Sequence, residues 1–197
     1  SDIGAEDVDN LTLEKDSTIA FSGGGTPGSA GYDDSKGHLD LGDGTLTVKG
    51  NVGVEVDVGM VNADLVEDAM HDVSNLPLTA QDVLTADQGG QILANLVEAG
   101  NVVNDEGSFK LTVTGGEYDS AHSSLKVGIF NDGNTDEVAK GIYDYTVRLT
   151  EGGLNLSYGL TGVELIRDKT LSLKGYAETD DIDNTLSIAV TGDGSLS

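Results

Sequence analysis

Three loops crowd oxygen-bearing side chains closely enough to attract a hard cation. They are Asp33-Asp34, the run Asn131, Asp132, Asn134 and Asp136, and the run Asp180, Asp181 and Asp183. Calcium takes roughly six to eight oxygens, and carboxylates and amide carbonyls at this spacing can supply several of them. None of the loops has the order of an EF-hand with its closing glutamate, and none repeats the Gly-Gly-x-Gly-x-Asp phrase of calcium β-rolls. Loops of Asp, Asn and Gly are also what ordinary turns are made of. No metal is therefore assigned. Asp132, Asn134, Asp136, Asp180, Asp181 and Asp183 stand only as the residues that calcium would use.

Nucleophilic chemistry has one candidate phrase, Gly192-Asp193-Gly194-Ser195. The serine-protease order puts serine between aspartate and glycine, and here it does not lie there. A serine nucleophile also needs a histidine base within reach. His38, His71 and His122 lie in polar loops or a weak helix and carry no partner pattern. Paired carboxylates could hydrolyse glycosides. Among 35 acidic residues, however, close pairs arise by chance and no spacing selects one. Tryptophan is absent, which leaves Tyr143, Tyr145 and Tyr158 as the tyrosines that could stack on a sugar. Their alternation favours core packing for Tyr143 and Tyr145. No catalytic or ligand-binding residue is assigned, and the chain is expected to be non-enzymatic.

Composition narrows the classes further. The 197 residues carry a formal charge of 10 − 35 = −25, dispersed and not gathered into a tail. Such a surface repels phosphate backbones and anionic lipid, so nucleic acid is excluded as a partner. No apolar run approaches the length that spans a bilayer, so no membrane insertion of this segment is expected. The absence of cysteine removes disulfides, thiolate metal sites and cysteine nucleophiles. Glycine is abundant, 28 residues against 2 prolines, which implies many turns.

The elements that must position these residues are short strands. The clearest organiser is residues 141–173. Tyr143, Tyr145, Val147 and Leu149 alternate there with Ile142, Asp144, Thr146 and Arg148, the period of a half-buried strand. Gly152-Gly153 ends that run, and Leu154, Leu156 and Tyr158 begin a second. Gly159 and Gly162 are expected to bracket a third strand at 163–165, with a fourth at 171–173. Further strands are expected at 11–13, 19–21, 39–41, 46–48, 52–58, 109–113, 125–129 and 186–190, with a tight turn at Asp43-Gly44. Leu65, Ala69 and Val73 recur at helical spacing before Pro77. Residues 91–99 fit a short helix and a buried strand equally well.

Strand-turn units recur loosely, and residues 45–50 are echoed at 170–175. That rhythm predicts an all-β chain with glycine-rich turns and one short helix around 60–100, arranged as a β-solenoid. A sandwich of this size would carry more large aromatics in its core.

Three phrases resemble the passenger regions of bacterial autotransporter adhesins, the self-secreted type V proteins related to AIDA-I and antigen 43. They are residues 141–147 (GIYDYTV), residues 153–165 (GLNLSYGLTGVEL) and residues 184–196 (NTLSIAVTGDGSL). The resemblance implies a right-handed parallel β-helix exported through the outer membrane to the bacterial cell surface. It implies adhesion or aggregation as the activity, with a host receptor, a glycan or a second cell as partner. On this reading residues 1–59 form solenoid rungs, 60–105 an irregular or partly helical insertion, and 106–197 β-rich autochaperone-like rungs. Tyr143, Tyr145, Leu154, Leu156 and Tyr158 would be the folding nucleus. In the family such an aromatic segment often precedes a membrane barrel, whereas here another strand-turn unit follows. The chain is expected to be a segment of a larger protein. A polysaccharide-active β-helix enzyme and a calcium-dependent structural β-domain are the alternatives, and no cofactor other than calcium comes into question.

Overall fold

The computed structural model describes residues 9–24, 30, 33, 36–61, 63–74, 78–79, 83, 91–115, 124–131, 135–173 and 189–197. They are mostly strand, with one short α-helix. In chain order the strands are β1 (Leu11–Leu13), β2 (Thr18–Phe21), β3 (Leu39–Asp40), β4 (Thr45–Asp57), β5 (Leu78–Thr79), β6 (Gln91–Glu98), β7 (Asn101–Thr114), β8 (Leu125–Phe130), β9 (Glu137–Thr150), β10 (Gly153–Leu165), β11 (Thr170–Leu171), β12 (Ala189–Gly192) and β13 (Ser195–Leu196). A single 3-10 turn, Val58–Met60, precedes helix α1 (Ala63–Ser74). Contacts divide the chain into two units that interleave along the sequence.

The first unit comprises Ser1–Asn62, Leu93–Tyr118 and Val147–Leu156. Its middle layer is β4. β1 and β2 pair in parallel with one edge of β4, and β7 pairs in parallel with the other. Leu46, Val48, Val52, Val54 and Val56 occupy alternate positions of β4, and all are fully buried. The registers stack apolar side chains in columns, Ile19 beside Val54 beside Leu111 and Phe21 beside Val56 beside Val113. β3 pairs in parallel with β6, Leu39 against Val97.

All three layers turn at one level. Asp16, Gly50 and Glu106 have left-handed φ values of 66°, 62° and 55°, and the Asp16 N–H donates to Asn51 O at 2.8 Å. Here β7 spends three steps, Asp105 to Ser108, where β4 spends two, Lys49 to Asn51. That bulge switches the phase of β7. Val102 before it and Phe109, Leu111 and Val113 after it therefore keep register with the buried row of β4.

The second unit comprises Ala63–Ile92, Asp119–Thr146 and Ser157–Ser197. α1 packs on β8 and buries Val66 and Ala69, while Asp64, Glu67, Asp68, His71 and Asp72 face solvent. β5 runs parallel to β8, and β8 runs antiparallel to β9. β12 pairs in parallel with β10, and β13 with β11. β9 and β10 are sheet neighbours joined across Glu151-Gly152, a two-residue link open only to antiparallel strands.

Several expectations change on this frame. The sheets are mixed, because the β8–β9 pair is antiparallel, so a wholly parallel coil does not describe it. Of the two readings left open for residues 91–99, strand is the one formed, over Gln91–Glu98. Gly159 and Gly162 do not bracket a separate strand. They lie inside β10, and the fourth strand shortens to Thr170–Leu171. Residues 46–48 and 52–57 form one strand across Gly50. The helix expected from Leu65 and Ala69 is α1. Leu186 and Ile188 lie outside the described residues, and the strand there is described from Ala189.

Candidate functional site

The aromatic residues of the second unit converge because strand alternation points them to one side. Tyr143, Tyr145 and Tyr158 are all buried. The Tyr145 and Tyr158 rings meet edge to face, centroids 6.1 Å apart at 89°, a geometry that the ring quadrupole favours. The Tyr158 hydroxyl donates to Tyr143 O at 3.4 Å, a long bond. Burial, then the nearby Asp144 carboxylate, hold the Tyr158 phenol well above its ordinary value. A phenol so held stays neutral at ordinary pH. Leu154 and Leu156, in the first unit, are fully buried.

From Gly153 to Leu160, β10 is buried on both faces. Its second face carries Asn155 and Ser157, the buried polar residues among those described. Sequence reading missed both, since a serine between two apolar residues looks like a solvent-facing position. Among the described residues, Ser157 Oγ meets no hydrogen-bond partner. An unsatisfied buried hydroxyl destabilises, so Ser157→Ala is expected to raise stability by about 1 kcal/mol. Urea unfolding measures this, and a comparable loss of stability instead would mean that the hydroxyl is bonded.

The candidate cation ligands fare unevenly. The Asp136 carboxylate holds Lys169 Nζ at 2.8 Å. Asp132, Asn134, Asp180, Asp181, Asp183, Asp34 and His122 lie outside the described residues. Among the described residues no group of three or more His, Asp or Glu side chains could hold a metal. Other lysines are spent similarly, Lys126 on Glu164 at 3.0 Å and Lys140 on Glu137 at 2.6 Å. Exposed pairs of this kind contribute at most about 1 kcal/mol each. Their separation in sequence hid two of them from any local reading.

Asp193-Gly194 forms the bend between β12 and β13, and Ser195 N–H donates to Lys169 O at 2.9 Å. The phrase is thus a corner between two strands that pair with different neighbours, β12 with β10 and β13 with β11. A solvent-open depression of about 500 Å³ lies beside it, lined among others by Glu164, Arg167 and Asp193. Among the described residues no helix is long and apolar enough to cross a membrane. No protein-family model matches the chain, and no curated protein or solved structure does either.

Proposed function

We propose that the chain is a non-enzymatic stretch of a secreted bacterial surface adhesin, whose parallel layers β1, β2, β4 and β7 are rungs of a right-handed β-helix. It would act by contact with a host receptor or glycan, or by association between cells. The observation that carries this reading is the layered parallel pairing of β1 and β2 on β4 and of β4 on β7, with a left-handed corner at the same level of each layer. Stacked layers of this kind extend by repetition and present long lateral surfaces, which suit multivalent contact. The right hand is the one that parallel crossovers adopt almost without exception. The dispersed negative charge supports a solvated outer face.

The test uses the purified chain immobilised on beads and offered a panel of glycans and host cells. Saturable retention, with the glycans recovered unchanged, is the expected result. Shortened glycans would move the chain to the polysaccharide-cleaving class. Retention of neither glycans nor cells would remove adhesion to a host.

A further inference from the structure

The chain holds two Asn-x-Ser/Thr phrases, the pattern that N-glycosyltransferases recognise. They are Asn10-Leu11-Thr12 and Asn155-Leu156-Ser157. The fold treats them in opposite ways. Leu11 and Leu13 of β1 pair beside Leu46 and Val48, the buried row of β4. Alternation puts Asn10 and Thr12 on the opposite, outer face of that sheet, and both are exposed. A strand added beside β1 would lie in the plane of the sheet and leave this face open. In the second phrase alternation also sets Asn155 and Ser157 on one face of β10. There they are 6% and 0% exposed.

The amide of Asn10 is held in a usable orientation. Its Oδ1 accepts the Thr45 N–H at 2.8 Å, where β4 begins. A main-chain donor needs an acceptor, so the oxygen end of the amide is the one engaged and Nδ2 is the other end. Glycosylation at Nδ2 keeps the carbonyl, so the bond to Thr45 survives it.

We propose that Asn10 is an N-glycosylation site, the acceptor of a sugar activated as a phosphate ester at its anomeric carbon. Nδ2 bonds to that carbon, the carbon–oxygen bond to the phosphate breaks, and the phosphate leaves with the electron pair. Nδ2 gives up one proton. A nucleoside diphosphate sugar and a lipid pyrophosphate glycan offer the same chemistry. The product is a bulky, hydrated group on an outer face, which the fold tolerates. A sugar on Asn155 would bury hydroxyls without partners, so a chain modified there does not reach this fold. The site follows from the exposure of one phrase and does not require the adhesive reading.

The chain recovered from the cells that make it should carry sugar on Asn10 and none on Asn155. A bare Asn10 there overturns the proposal. In vitro, the folded full-length chain is offered to a soluble N-glycosyltransferase with a nucleotide-activated hexose. A second arm uses a membrane oligosaccharyltransferase with a lipid-linked glycan, and the arm that modifies Asn10 identifies the donor. Peptides spanning each phrase are the reference, and both should be modified. In the folded chain, peptide mapping by mass should find Asn10 modified on the order of a hundredfold faster than Asn155, which reacts only when β10 opens. Thr12→Val breaks the phrase but keeps Asn10 and its bond to Thr45, so it should abolish the modification with an unchanged circular dichroism spectrum. Equal rates at the two asparagines, or sugar that persists on Asn10 in Thr12→Val, overturn the proposal. So does an Asn155 peptide refused in both arms, which would move the selection from fold to sequence. The bead assay reads retention alone, so either idea can fail without the other.

Discussion

Gly153→Ala is expected to unfold the first unit, while Gly152→Ala beside it leaves stability almost unchanged. Gly153 has φ +137°, and a Cβ built there would lie 1.8 Å from Val97 O and 2.8 Å from Val97 C. Those are backbone atoms of β6, which cannot turn aside as a side chain can. β6 is also held in place from both directions, since Leu41 N–H donates to Glu98 O and Ala99 N–H to Gly152 O. Moving it would break that pairing. Steric conflict and left-handed backbone act together, so the loss should be about 4 kcal/mol or more. A domain holds only about 5–15 kcal/mol in all. At Gly152 an added Cβ meets nothing within 4 Å, and the expected change is within about 0.5 kcal/mol. Urea unfolding followed by circular dichroism compares the two. A Gly153→Ala chain as stable as its Gly152→Ala counterpart would show that β6 and β10 do not approach as closely as described.

That contrast also marks how far the sequence could be read. Both glycines look like turn punctuation, yet the approach of Val97, distant in sequence, and the positive φ of Gly153 separate them. The alternation of β9 was legible because one face is buried and the other only partly so, the one arrangement that writes a period of two into the residue types. β10 was legible only as far as Tyr158. It is buried on both faces, so its small residues do not alternate with polar ones, and Gly159 and Gly162 look like breaks. β6 buries Leu93, Leu96 and Val97 and exposes Ile92, a spacing that follows the helical period and not alternation. Its strand state comes from pairing with Leu39-Asp40, information that no local window contains. The β7 bulge had the same effect: the strand expected at 109–113 is only the second part of Asn101–Thr114, because the extra residue at Glu106 shifts the phase of the part before it. Of the candidate site, Tyr143 and Tyr145 followed from alternation. The Lys169–Asp136 pair and the unsatisfied Ser157 hydroxyl both depend on what stands opposite.

Tyr158→Ala should be the costliest side-chain truncation in the second unit. It empties a site that is 1% exposed and removes the edge-to-face contact with Tyr145. Truncating a buried aromatic costs about 3–5 kcal/mol, and an aromatic pair adds about 0.5–1.5 kcal/mol beyond the area buried. Tyr158→Phe keeps the ring and loses only a long hydrogen bond, so it should cost less than about 1 kcal/mol at neutral pH. The two variants part again in alkali. Below pH of about 10 the phenol is protonated whether the chain is folded or not, and its contribution is constant. Above that pH the unfolded chain releases the proton while the buried, Asp144-facing phenol retains it. Stability then falls by up to about 1.4 kcal/mol per pH unit from this group. Tyr158→Phe should flatten that decline, and an undiminished decline would place the titrating group elsewhere. Kinetics carry the argument one step further. If Tyr143, Tyr145 and Tyr158 assemble early, as a folding nucleus must, most of the Tyr158→Ala loss appears as slower folding and little as faster unfolding. A loss confined to the unfolding rate would leave the tyrosines as late packing and end the nucleus reading, whatever the size of the equilibrium effect.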